Sequence, residues 1–245
     1  MFSELLQELK RGQPVLIFDS EKREGETDIV VPSQFVTPDL IRFMRKNGGG
    51  LICTTLRESE AGILGLPYIE DFYRKHLELD RRAMDSSDLR YDKNSSFSVT
   101  INSRRTFTGI SDNDRSTTIT EFAELMGKII AGKVTEPRRK FSEEFRIPGH
   151  ISLIIARDGY CSSRRGHTEL STYLLERSEL IPSATIVEML DDNGLSLNRE
   201  KAEKFAADHR LKFIDGDSII RWWNDDNSDG HRGIRHSAPG APALS

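Results

Sequence analysis

Five carboxylates fall within ten residues in segment 19–28 (DSEKREGETD): Asp19, Glu21, Glu24, Glu26 and Asp28. Like charges crowded this closely repel unless solvent or a cation relieves them. A hard cation such as Mg2+ takes one or two such oxygens and fills its shell with water and substrate oxygens. Gly25 lets the segment bend, and Arg23 adds a cation suited to an anionic substrate. A solvated acidic hairpin loop is the plainer alternative. A second segment, 162–169 (SSRRGHTE), follows a strand pattern and opens a helix pattern. A helix start offers unpaired N–H groups and the positive end of the dipole, which suit phosphate. Arg164 and Arg165 add charge-assisted donors, Gly166 permits close backbone approach, and Thr168 can cap the helix or bond the anion. His167 can be a ligand or a proton-transfer group. An ordinary charged helix start is the alternative here.

A third segment, 106–118 (TFTGISDNDRSTT), places hydroxyls, Gly109, two aspartates and Arg115 ahead of a long helix, which Ser116 or Thr117 is expected to cap. Such loops bind polar ligands, or serve only as capped turns. Two single residues complete the set. His150 in IPGHISLIIA stands just before a buried strand, and Glu188 in TIVEML is a carboxylate inside an apolar one. Burial raises a carboxyl pKa and costs free energy unless the group is paired, so Glu188 is a functional candidate.

The elements that must position these groups alternate along the chain. Helix patterns cover 3–11, 37–46, 58–64, 116–131, 168–177, 198–209 and 217–223; strand patterns cover 14–18, 27–31, 51–56, 97–101, 152–156, 185–190 and 213–214. Thr37 as N-cap with Pro38 behind it, and Asn198 as a second cap, mark two helix starts. Interleaved strands and helices give a layered α/β protein with a mixed sheet; pattern alone leaves two or three layers open. One domain is expected over residues 1–223. From 224 to 245 the chain turns polar and small, and a disordered tail is expected.

Composition narrows the function classes. With 36% hydrophobic residues the 245-residue chain is too apolar to be disordered, and no apolar run approaches the ~18 residues that span a bilayer. The formal charge of −4 gives no general reason to expect nucleic acid. Two cysteines, Cys53 and Cys161, make neither a disulfide framework nor a cysteine zinc site and are expected as buried apolar groups. The N-terminus reads as an amphipathic helix rather than a secretory signal, so a cytoplasmic location is expected. Spacing alone points to a metal-assisted enzyme acting on a small phosphorylated polyol or sugar. It leaves the reaction open: an isomerase or aldolase, or a non-enzymatic binder of a phosphometabolite or of double-stranded RNA, remains in play. The negative charge disfavours RNA.

In this order, FDSEKREGETDIVVP, GLICTTL, FSVTINS, FTGISDNDRSTTI, IPGHISLIIARDG, SSRRGHTEL and ATIVEML closely resemble the 3,4-dihydroxy-2-butanone 4-phosphate synthase family over nearly all of 1–223. The two-arginine motif resembles the archaeal branch. A C-terminal GTP cyclohydrolase II module with zinc cysteines has no counterpart here, so the monofunctional form is expected. The resemblance implies a three-layer αβα sandwich (α/β, or α+β in some schemes), no organic cofactor, and a cytoplasmic homodimer with sites near its interface, without nucleic-acid or membrane partners. It implies conversion of D-ribulose 5-phosphate to 3,4-dihydroxy-2-butanone 4-phosphate and formate with Mg2+, Mn2+ being able to substitute, and two ions per site. By motif, Glu24 and His167 resemble the metal ligands. Arg23, Glu24, Glu26, Asp28, Arg164, Arg165, Gly166, His167, Thr168 and Glu188 resemble substrate contacts, with Arg164 and Thr168 at the phosphate. His150 and Glu188 resemble the proton-transfer residues. Thr108 and Asp114 are expected to line the pocket, Cys53 to lie near it, and the acidic loop to act as a lid.

Overall fold

Strand β1 (Val15–Phe18) and strand β2 (Thr27–Pro32) are buried along their whole lengths, as apolar runs covered on both faces must be. They are interior strands of a seven-stranded sheet with β3 (Cys53–Arg57), β4 (Phe97–Ser103), β5 (Phe145–Ala156), β6 (Ala184–Glu188) and β7 (Lys212–Asp215), in the order β4-β5-β3-β6-β2-β1-β7. The sheet is mixed: β1/β7 and β3/β5 are parallel, and the other neighbours antiparallel. The molecule is a computed structural model that describes residues 2–228 apart from 79, 90, 91 and 93.

Helices pack on both faces, which settles the layer question as three. One face carries α1 (Phe2–Lys10), α7 (His167–Arg177) and α9 (Gly216–Ser228) over a core of Val15, Ile17, Val30, Ile154, Leu170, Leu174, Ile186 and Ile219. The opposite face carries α2 (Pro38–Asn47), α3 (Glu58–Leu64), α5 (Asp112–Ile130), α6 (Pro137–Glu144) and α8 (Arg199–His209) over Leu16, Ile29, Val31, Leu56, Phe122, Leu153 and Val187. Along β1, β2 and β6 successive residues alternate between the two cores, as the pleat requires. Helix α4 (Ile69–His76) buries no residue. Hydroxyls lock α7 to the sheet beneath it. Thr172 Oγ1 and Thr55 Oγ1 are hydrogen-bonded at 2.8 Å, and the Thr55 hydroxyl also accepts from the Ala184 N–H at 2.8 Å.

Most expected elements are present, and four details differ. Helix α5 starts at Asp112, capped by Ser111, whose Oγ accepts from the Asp114 N–H at 3.1 Å, rather than at Ser116 or Thr117. Acidic residues at 112 and 114 favour that earlier start through the helix dipole. Strand β5 begins at Phe145, so His150 lies within a strand rather than before it. Helices α4 and α6 were not expected. Helix α9 continues to Ser228, five residues into the expected tail, because the Asp226 carboxylate accepts from Tyr173 Oη at 2.5 Å and pairs with Arg177 at 2.9 Å. The rest of that tail, 229–245, lies outside the described residues. Among the described residues no helix is long and apolar enough to cross a membrane.

Candidate active site

The acidic loop is tied around Asp19 at the end of β1. Asp19 is only 2% exposed, and its carboxylate accepts from Arg23 Nη1 and from the N–H groups of Glu24 and Glu26, each at 3.0 Å. A buried carboxylate with three donors is satisfied, and these bonds fix the shape of the loop. Gln, Ala or Asn at this position could not match the charge of Arg23 in the same way.

His167 opens α7 and is buried. Its Nε2 lies 3.1 Å from the Ile17 carbonyl, and because a carbonyl only accepts, Nε2 donates. Nδ1 then faces Glu24 Oε2 and Asp28 Oδ1, each 3.6 Å away. Asp28 Oδ1 is buried and makes no hydrogen bond. Burial pushes the Asp28 carboxyl up to about 8; the His167 charge opposes this, and Glu188, Glu24 and Glu26 add to it. Burial would lower His167, but the carboxylates of Asp28, Glu24 and Asp19 win and raise it to about 9. Burial would raise Glu24, yet His167 and Arg23 hold it at about 2. These groups are a proton-holding cluster, and the donor set also fits a divalent cation: two carboxylates and an oriented imidazole nitrogen, with one carboxylate oxygen lacking any donor. Asp19, Glu24 and His167 offer ligand atoms within 4.8 Å of one another, but the Asp19 oxygens already serve the loop.

Glu188 ends β6 directly opposite Asp28 on antiparallel β2. Facing side chains in such a pair stand about 5 Å apart at Cβ, so the two carboxyl groups share one patch of sheet. Glu188 Oε2 accepts from the Leu51 N–H at 2.8 Å. Gly50 is required there, because a Cβ on it would strike the Glu188 side chain. A cavity of about 300 Å³ covers this patch. Its floor is Asp28, Cys53, Ile154, Ile186 and Glu188, its wall Glu24, Arg164, His167 and Thr168, and its roof includes Leu89, Asp92 and Ser96. Burial raises the Cys53 thiol, so it stays protonated and presents an apolar surface.

Cationic groups collect at the start of α7. Arg23 pairs with Glu24 at 2.7 Å as well as with Asp19. Arg164 pairs with buried Glu169 at 2.9 Å and with Asp92. Gly166 caps α7 and admits this arrangement, because a Cβ would meet the Arg164 guanidinium and come within 2.8 Å of Arg23 Nη2. Thr168 lies in the first turn of α7 rather than at its cap. Arg165 lines a neighbouring cavity of about 700 Å³ with Lys22, Arg199 and Asp215. Glu26 faces away from the first cavity and accepts from Ser196 Oγ at 2.5 Å.

Three expected residues form a separate cluster. His150 pairs with Asn102: its N–H donates to Oδ1 at 2.8 Å, and its Nδ1 lies 3.1 Å from Nδ2. Asp114 Oδ2 accepts from the Gly109 N–H at 2.9 Å and the Thr108 N–H at 3.2 Å, and Asn102 Nδ2 donates to the Thr108 carbonyl at 3.4 Å. None of the three lines the first cavity. Four strand steps separate His150 from Ile154 in the cavity floor, about 13 Å. The neighbouring apolar side chains are exposed: Phe107 at 95%, Ile110 at 54% and Ile147 at 52%.

The structure thus unites Arg23, Glu24, Asp28, Arg164, Gly166, His167, Thr168 and Glu188, sets Glu26 and Arg165 beside them, and holds Thr108, Asp114 and His150 apart. Sequence reasoning missed Asp19 as the loop clasp, Glu169 as the support of Arg164, and Asp92. An Asp closing an apolar strand ahead of a charged loop was a usable signal for the first. Asp92 carries none, since it sits in a polar stretch without periodicity.

A family model described as 3,4-dihydroxy-2-butanone 4-phosphate synthase matches residues 3–222. Among curated proteins the chain is similar to the 3,4-dihydroxy-2-butanone 4-phosphate synthase of Archaeoglobus fulgidus, 43% identical over 223 residues covering 89% of this chain and 92% of that protein. It is similar to that of Methanothermobacter thermautotrophicus, 41% identical over 226 residues covering 90% and 94%. Among solved structures it is similar to the Candida albicans synthase, with a TM-score of 0.69 and 25% identity over 90% of this chain and 95% of that one. A synthase solved in complex with two magnesium ions has the same fold, with a TM-score of 0.72 and 24% identity over 93% and 97%.

Proposed function

The chain belongs to the 3,4-dihydroxy-2-butanone 4-phosphate synthase family, and from that membership we propose how its residues divide the reaction. It is a lyase of riboflavin biosynthesis that converts D-ribulose 5-phosphate to L-3,4-dihydroxy-2-butanone 4-phosphate and formate. The steps are enediol formation, loss of water, a skeletal shift and release of one carbon as formate. Water lost early returns when formate leaves, so no other reactant is consumed.

The observation that carries the assignment of roles is that the acidic loop and the cationic turn meet in one cavity. Arg23, Arg164 and the first turn of α7 with Thr168 seat the phosphate. The sugar carbons then extend over the sheet floor toward Asp28 and Glu188. Glu188, fixed by the Leu51 N–H, takes and returns a proton. Asp28, its carboxyl raised to about 8, holds a proton near neutral pH beside the reacting carbons. Glu24 and His167 would hold Mg2+, with Mn2+ able to substitute and a second ion beside it. Bound there, the metal would supply charge stabilisation to substrate oxygens. Nε2–H of His167, bound to Ile17, keeps Nδ1 aimed into the site.

His150, Thr108 and Asp114 come to the cavity from a second copy in a homodimer. The exposed Phe107, Ile110 and Ile147 around them support this, since exposed apolar clusters mark contact surfaces. His150 is then the second proton-transfer group, able to assist departure of water from the face opposite Glu188. The test is a product assay on purified protein with ribulose 5-phosphate and Mg2+. Formate and the four-carbon phosphoketone should form in equal amounts, and chelator should stop both. A five-carbon product, or two- and three-carbon fragments without formate, would replace this function with an isomerase or an aldolase.

A further inference from the structure

The pair of arginines expected to seat the phosphate is already occupied by a carboxylate. Asp92 Oδ2 accepts from Arg164 Nε and lies 3.4 Å from Arg23 Nη2, at the helix start where Gly166 leaves room for both guanidinium groups. The other Asp92 oxygen accepts from the Asn94 N–H at 3.2 Å, a local turn contact. Asp92 lines both the 300 Å³ cavity and the neighbouring one, so its carboxylate sits at the boundary between them. The arginines keep it ionised, holding its pKa below the usual carboxylate range against the effect of burial.

We propose that Asp92 is an internal stand-in for the substrate's phosphate, displaced when substrate binds and returned when product leaves. This rests on the assignment of Arg23 and Arg164 to the phosphate. One guanidinium N–H cannot serve two anions at once, and a phosphate dianion beside a retained carboxylate would be repelled. Glu169 and Asp19 hold the far sides of the two arginines, so the seat keeps its shape when Asp92 departs. Asp92 compensates the charge of the two arginines between turnovers. Substrate and product both carry the phosphate, so the carboxylate weakens the binding of both and favours release of product.

Inorganic phosphate is the probe, titrated into the full chain by calorimetry for the wild type and for D92N, D92A and R164Q. D92N keeps the local turn acceptor and removes the charge; D92A checks that a new amide contact is not responsible. Both should bind phosphate about three- to tenfold more tightly, the range expected when a partly exposed competing ion pair is removed. KM for ribulose 5-phosphate should fall in step, with no rise in kcat. R164Q should bind phosphate more weakly. Unchanged or weaker phosphate binding in D92N and D92A, with R164Q impaired, would overturn the stand-in role. Unchanged binding in R164Q would instead overturn the phosphate seat on which it rests.

Discussion

The cluster around Glu24 and His167 and the cluster around His150 are built by opposite means. In the first, buried charges from β1, β2, α7 and the acidic loop hold one another through Asp19, Glu169 and the Ile17 carbonyl. In the second, the groups stand on the surface, tied mainly to Asn102 and to backbone N–H groups and edged by exposed Phe107, Ile110 and Ile147. The first lines a cavity built by one chain, while the second has polar groups in order and lies outside that cavity. A surface cluster of that kind gains a function when another surface covers it.

The strongest way to break this contrast is subunit mixing. Glu188→Gln and His150→Ala should each lower kcat by about 10²–10⁴ with the fold intact, the usual range for a proton-transfer group. Mixed and reassembled in equal amounts, they should recover about a quarter of wild-type activity, because half the dimers are then mixed and each of those has one intact site. No recovery, with dimers shown to exchange, would place both residues in one subunit's site.

Metal binding probes the first cluster alone. Glu24→Gln should raise the Mg2+ concentration needed for half activity about tenfold or more, as loss of a metal-site partner does. In the wild type the ion must replace the proton on His167, whose raised pKa of about 9 keeps it charged below that value. Metal binding should therefore release protons and strengthen as pH rises toward 9; calorimetry in buffers of different ionisation enthalpy that detects no proton release would count against His167 as a ligand.

Stability should separate the clusters more gently. Asp19→Asn weakens three hydrogen bonds and should cost about 1–3 kcal/mol in urea unfolding. The smallest effect belongs to Asp114→Ala, which loses a first-turn charge and exposed hydrogen bonds and should cost no more than about 1 kcal/mol in urea unfolding while lowering activity. A large loss of stability there would mean that the outer cluster serves the fold rather than the site.

Much of this was legible in the residues. Both-faces-buried strands such as Val15–Phe18 announced the sheet, and the Thr37 and Asn198 caps marked α2 and α8, where each side chain accepts from the N–H three residues on. The motifs around Glu24 and His167 stated their chemistry because charge, glycine and hydroxyl coincide there. The first half of β5 was hidden: Arg146, Pro148 and Gly149 carry no strand period, and the strand there is set by pairing of Phe145 and Arg146 with β4. Helix α4 was overlooked although Ile69, Phe72 and Tyr73 stand at helical spacing, because the segment is short and ringed by charge. Asp92 was invisible for a different reason, since its meaning depends on two arginines 69 and 72 residues away.

The opposition of Glu188 and Asp28 across β6 and β2 also makes misassembly of the cavity floor self-penalising. If β6 slid by one position, Glu188 would turn into the hydrocarbon layer around Ile29 and Phe122 while Val187 took its place above the sheet. An ionised group stranded among aliphatic side chains is among the most unfavourable arrangements a protein can adopt. The same oil-and-water sorting that folds the chain therefore proofreads the spacing of its two acids.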